Sequence, residues 1–170
     1  MDIFNTSHIR GNITAWLPVQ KEEQILYIGS PEEIAAKRLA EKTDSLVCRM
    51  PEELSGSMKD EPEAQTYDQI ICVGRLHELA DRFRETGTRA GAHPEDSLYG
   101  EKKAVEKLSG LLKTDGKLIL AVENIFGLKY FAGTREEGSG EYFGGLNQEA
   151  ASSGYTREEV LRVLQETGLY

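Results

Sequence analysis

Four short apolar runs dominate this chain, and none of them alternates with polar residues: Ile25-Leu26-Tyr27-Ile28, Ser45 to Met50 (SLVCRM), Gln69–Val73 (QIICV) and Lys117–Val122 (KLILAV). A strand wetted on one face alternates; a run apolar throughout is buried on both faces, as in a parallel sheet held between helical layers. The stretches between the runs repeat with a helical period. Ile9, Ile13, Trp16 and Leu17 predict a helix before the first strand, stopped by Pro18 and packed on the sheet. Helices are also expected from Pro31 to about Lys42, over 76–84, and over 96–112, where Val105, Leu108, Leu111 and Leu112 share a face. Strand–helix alternation of this kind folds as a layered α/β sandwich with right-handed crossovers.

The connections are read from their breakers. Residues 51–66 carry two prolines and many acids with no apolar period, and read as an exposed loop with a short helical turn. Residues 85–95 and 133–154 are glycine-bearing loops, and Thr114-Asp115-Gly116 is a turn before the last strand. Thr156-Arg-Glu-Glu159 is a capping box, in which the Thr hydroxyl and the Glu carboxylate each satisfy a free backbone N–H, and it opens the final helix. One domain over residues 1–170 accommodates all of this, with 1–20 as an N-terminal helical segment.

Composition narrows the functional classes. A formal net charge of −9 disfavours nucleic acid, whose phosphates are bound by Lys and Arg, and equally an anionic membrane surface. No apolar stretch approaches the ~20 residues of a membrane span. The two cysteines, Cys48 and Cys72, fall in predicted buried strands and read as reduced core residues, which fits a cytoplasmic protein. The three histidines and two cysteines show no ligand spacing, so no metal site is expected.

Three longer stretches carry a resemblance: ILYIGSPEEIAAKRLAEK at 25–42, YDQIICVGRLHELA at 67–80 and LLKTDGKLILAVENIFGLKYFAG at 111–133. They resemble class I S-adenosylmethionine-dependent methyltransferases. The nearest pattern is that of a bacterial subgroup found beside glycosyltransferases of cell-surface polysaccharide synthesis. HIRGNITAWLP also resembles that subgroup's helix before the first strand. The resemblance implies a three-layer Rossmann-like, mostly parallel sheet. Here it would be truncated to about four to five strands, with the family's third strand and C-terminal hairpin missing.

The positions that would hold the cofactor in this family are altered. Of the first loop's glycines only Gly29 is kept; Pro31 and Glu33 stand at the next two. Proline offers no N–H, and glutamate brings bulk and negative charge. Ser30-Pro-Glu-Glu33 instead reads as a capped helix start, with Ser30 as N-cap, Pro31 at the first helical position and Glu33 completing a capping box. Met50 stands where the family has an acid for the ribose hydroxyls, and methionine cannot accept two such bonds. Residues 51–66 are too short for a crossover helix plus a third strand. Gly29, Ser30, Glu33, Met50 and Gly74 are therefore vestigial cofactor positions, no catalytic residue is assigned, and no S-adenosylmethionine binding is expected.

The expectation that follows is a binding or scaffolding module, possible in cell-surface glycan synthesis. The alternative is an active S-adenosylmethionine-dependent methyltransferase with a sugar or glycan acceptor. Candidates for a ligand cleft are His77 and Glu78 after the third predicted strand, and Asn124, Lys129 and Tyr130 after the fourth. His77-Glu78 also reads as an ordinary surface pair. The Asn124–Phe131 segment also reads as packing of Phe126, Leu128, Tyr130 and Phe131 on the sheet. A remnant cleft at the topological switch point could take another small ligand. Because the chain stops at Tyr170, where a sixth family strand would begin, one sheet edge is expected to be open. A protein partner or a second copy is expected to cover it near Lys117–Val122.

Overall fold

In a computed structural model, the described residues are 8–54, 66–87, 98–135, 142 and 154–169. Helix α1 (His8–Ala15) precedes strand β1 (Gln24–Ile28). Helix α2 (Ile34–Ala40) leads to β2 (Ser45–Arg49), and a 3₁₀ turn (Pro51–Leu54) follows it. Strand β3 (Tyr67–Val73) feeds helices α3 (Leu76–Gly87) and α4 (Tyr99–Leu111), which deliver β4 (Leu112–Ala121). A single turn, α5 (Leu128–Phe131), and helix α6 (Arg157–Glu166) complete the described elements.

The four strands are parallel, in the order β2-β1-β3-β4. The runs of β1, β3 and β4 supply both faces of the sheet, whereas the β2 run, expected to be buried throughout, packs only Leu46 and Cys48, on one face, and leaves Val47 38% exposed, because β2 is an edge strand. Leu26, Ile28, Ile70 and Cys72 pack with Leu76, Leu79, Leu108 and Leu111 of α3 and α4. The alternate residues Ile25, Tyr27, Ile71 and Val73 pack with Leu17 and with Ala35, Ala36 and Leu39 of α2. All four residues of Ile25–Ile28 are at most 1% exposed. Burying an aliphatic side chain of this size contributes roughly 1.5–3 kcal/mol, so the central strand anchors both layers. The two helical layers lie on opposite faces because the chain leaves β1 to one side for β2 and reaches β3 on the other. The switch point of the sheet therefore falls between β1 and β3.

Helices α3 and α4 approach closely at Gly100, where a Cβ would stand 2.5 Å from the Ala80 carbonyl oxygen. Next to it Glu101 is buried, and its Oε1 takes an ion pair from Arg84 and a hydrogen bond from the Tyr155 hydroxyl at 3.1 Å. Its other oxygen, Oε2, is buried without a hydrogen-bond partner among the described residues. Burial, reinforced by the Glu101 charge, pushes the Tyr155 hydroxyl pKa up, so it stays a donor. This cluster joins the two helices to the segment that enters α6, whose backbone bridges Asn124 through Tyr155.

Several expectations change. Trp16 does not pack on the sheet: it is 72% exposed, while Leu17 turns in. Helix α2 begins at Ile34, not Pro31, because Glu33 is held in extended backbone (ψ 142°). The 3₁₀ turn after β2 is anchored by a fully buried Leu54. Thr114-Asp115-Gly116 does not precede a strand but sits inside β4. Tyr67 pairs with Leu112 and Gln69 with Lys117, so residues 113–116 bulge out of a continuing ladder. Residues 55–65, 88–97 and most of 136–153 lie outside the described residues, so most of the predicted loops is not placed. Among the described residues no helix is long and apolar enough to cross a membrane.

Candidate functional site

The carboxyl ends of β1 and β3 face each other across the switch point, the place where open α/β sheets take ligands. In this chain a side-chain network spans it. Glu33, at the end of the β1–α2 loop, is only 7% exposed. Its Oε1 is paired with Arg75 at 2.7 Å and accepts the Ser30 N–H at 3.1 Å. Its Oε2 accepts the Tyr27 hydroxyl at 2.6 Å. Arg75, in the β3–α3 loop, extends its second nitrogen to Glu78 at 2.8 Å. Burial works against the Arg75 charge, yet its bonds to Glu33 and the charges of Glu33 and Glu78 outweigh that and push its pKa up. The guanidinium is thus firmly cationic, clamped between two carboxylates.

The local sequence explains how the loop reaches this state. Gly29 has φ +154°, and its N–H is spent on the Arg49 carbonyl, tying β1 to β2. A Cβ there would stand 2.7 Å from the Tyr27 ring and 2.9 Å from Glu33 Oε1. Glycine lets the carboxylate and the tyrosine ring close over the backbone. One half of the expected capping box is present, the Ser30 N–H bonded to Glu33 Oε1; the Ser30 hydroxyl accepts from the Glu32 N–H at 3.2 Å and not from Glu33. The carboxylate that returns to Ser30 is also turned inward, where Tyr27 and Arg75 hold it. Glu32 points outward, to Lys37.

The other sequence candidates fall into place around this centre. Gly74 has φ +68°, and its N–H bonds the Ala121 carbonyl, joining β3 to β4. Met50 donates its N–H to Glu53 Oε2 at 2.8 Å and so starts the 3₁₀ turn. Glu78 belongs to the network through Arg75; its neighbour His77 is half-buried on α3. Asn124 is exposed, and its Oδ1 caps the following turn by accepting the Phe126 N–H. Lys129 pairs with Glu123 and lies 4.9 Å over the Tyr130 ring. Tyr130 is buried, whereas Phe126, Leu128 and Phe131 are 52%, 85% and 66% exposed. The packing reading of that segment therefore holds for Tyr130 and fails for the other three. At the opposite, amino end of the sheet, Glu23, Asp68, Lys113 and the β4 bulge line a shallow cleft of about 350 Å³.

Tyr27 and Arg75 are central to the network and were not picked out by the sequence reading. Tyr27 is one aromatic in an apolar run, and Arg75 one cation after a strand; a hydroxyl inside a fully buried strand is the signal that could have marked the first. Among the described residues no group of three or more His, Cys, Asp or Glu side chains is placed to hold a metal ion. Family models, curated proteins and solved structures were all compared with the chain, and none matches.

Proposed function

We propose that this is a class I methyltransferase-like domain that does not bind S-adenosylmethionine and works as a binding or scaffolding module. The single observation that carries the reading is the Glu33–Arg75 pair, which fills the switch-point crevice with the chain's own buried charges. A cofactor carboxylate directed there would meet the Glu33 carboxylate. Met50 offers no pair of acceptors for ribose hydroxyls. The strand order β2-β1-β3-β4 supports the reading, because it is the Rossmann order 3-2-1-4-5 with the third strand left out. The place beside cell-surface glycan synthesis rests on the sequence resemblance at 25–42, 67–80 and 111–133.

Calorimetric titration of the full chain with S-adenosylmethionine tests the proposal. No binding heat is expected; saturable micromolar binding would overturn it and favour an active methyltransferase with a sugar or glycan acceptor. The partner proposed for the module is a protein or a second copy, meeting it along the outer edge of β4.

A further inference from the structure

We infer that the crevice between the ends of β1 and β3 is a carboxylate-binding site that the chain fills with its own Glu33, and that removing this side chain opens it to a small free carboxylate such as acetate. The inference rests on the geometry of the crevice alone and stands whether or not the ancestry proposed above is correct.

Three donors converge on the Glu33 carboxylate: the Tyr27 hydroxyl at 2.6 Å, the Arg75 guanidinium at 2.7 Å and the Ser30 N–H at 3.1 Å. They come from the carboxyl end of β1, from the loop after β3 and from the loop after β1. This is how a protein holds an anionic ligand, with charge-assisted bonds from several fixed elements. Each donor has a support besides Glu33. The Tyr27 ring is 1% exposed among Leu17, Ala35 and Leu39. Arg75 is held by Glu78 at 2.8 Å. Ser30 is braced by the bond from the Glu32 N–H to its hydroxyl. The donors therefore remain placed when Glu33 is shortened.

Beyond its Cβ, a glutamate side chain is CH₂–COO⁻, which has the heavy atoms of acetate. Glu33→Ala consequently empties an acetate-sized space among three positioned donors. Pro31 and Glu32 in the same loop are exposed, and the Glu33 side chain itself keeps 8% exposure, so the space borders solvent. In the wild-type chain a free carboxylate must displace a tethered one, whose effective concentration is far higher, so the site stays closed.

The test is thermal unfolding of the full chain in sodium acetate and in sodium chloride at matched ionic strength and pH 7. Wild type and Glu33→Gln, in which the space stays filled, report the general effect of acetate on stability. Glu33→Ala is expected to gain several degrees beyond that, rising with acetate concentration and saturating as mass action requires. The double variant Glu33→Ala/Arg75→Met is expected to lose the extra gain. If Glu33→Ala gains no more than wild type, or the double variant keeps the gain, the inference is wrong. Should Glu33→Ala be unfolded in chloride, the readout becomes recovery of its circular dichroism on adding acetate, and no recovery counts against the site. Neither result bears on the wild-type titration with S-adenosylmethionine, so the two proposals fail separately.

Discussion

Gly29 shows how a glycine can be needed for a reason other than the motif it resembles. In the sequence it reads as the survivor of a cofactor loop. In the fold it makes room for Tyr27 and Glu33, whose atoms would lie 2.7 and 2.9 Å from any Cβ. Gly29→Ala should therefore destabilise the fold by about 2 kcal/mol, within the usual cost of forcing a side chain into sparsely populated backbone. Urea unfolding measures this, and a variant as stable as wild type would show that the network does not need the glycine. Arg75→Met leaves Glu33 buried without its cation and should cost about 3 kcal/mol, as broken buried pairs do. Glu78→Gln should cost clearly less, because that carboxylate is 39% exposed. Cys72 is a further residue-scale case. Burial pushes its thiol up to about 12, and Cys48 is raised by burial and then by the Glu33 charge. The two thiols pack on opposite faces of the sheet, so they do not pair. A thiol reagent at pH 8 should label Cys72 only after unfolding; rapid labelling of the native protein would contradict its burial. The raised value also sets a sign for stability. The folded thiol keeps its proton while the unfolded one loses it from about pH 8.5. The contribution is thus full below that pH and lost progressively as pH rises towards 12.

At the scale of elements, local chemistry predicted well where nothing distant competed. The α6 capping box is present in both halves: Thr156 Oγ1 accepts the Glu159 N–H at 3.1 Å, and Glu159 Oε2 accepts the Thr156 N–H at 2.7 Å. Thr156→Ala should cost about 1 kcal/mol, with faster hydrogen exchange confined to the first turn of α6. Exchange spreading across the sheet instead would mean that the cap also holds the bridge at Tyr155. The same chemistry misplaced the start of α2. Ser30 and Glu33 have the types and spacing of a capping box, and the Ser30 N–H does reach Glu33, but the same carboxylate also takes the Tyr27 hydroxyl and the Arg75 guanidinium, and Glu33 stays in extended backbone. The β4 bulge was missed for a related reason. Thr-Asp-Gly is a turn signal in isolation, yet pairing of Leu112 with Tyr67 keeps the strand going through it.

For the whole molecule, β4 ends the sheet order among the described residues, with the Asn124–Tyr155 bridge just past its end, and a strand edge is a template for pairing with another chain. If a second copy covers that edge, light scattering at rising protein concentration should show the mass moving from monomer to dimer. A mass that stays monomeric throughout removes the second copy as the partner and leaves another protein as the occupant to seek.

The sequence alone determined the four strands, the approximate placing of the helices around them and the α6 cap. Those features depend on residues near one another along the chain, through apolar runs, helical period and capping spacing. Tertiary structure decided which way Glu33 points, which residues meet it and what closes the crevice. Tyr27 and Glu33 are six residues apart, but Arg75 lies 42 residues beyond Glu33 and reaches it only because β1 and β3 are neighbours in the sheet. A carboxylate at a loop end suits a helix cap, a surface pair or a buried clamp equally well. Only the positions of the donors around it select among these, and the packing of the sheet sets those positions.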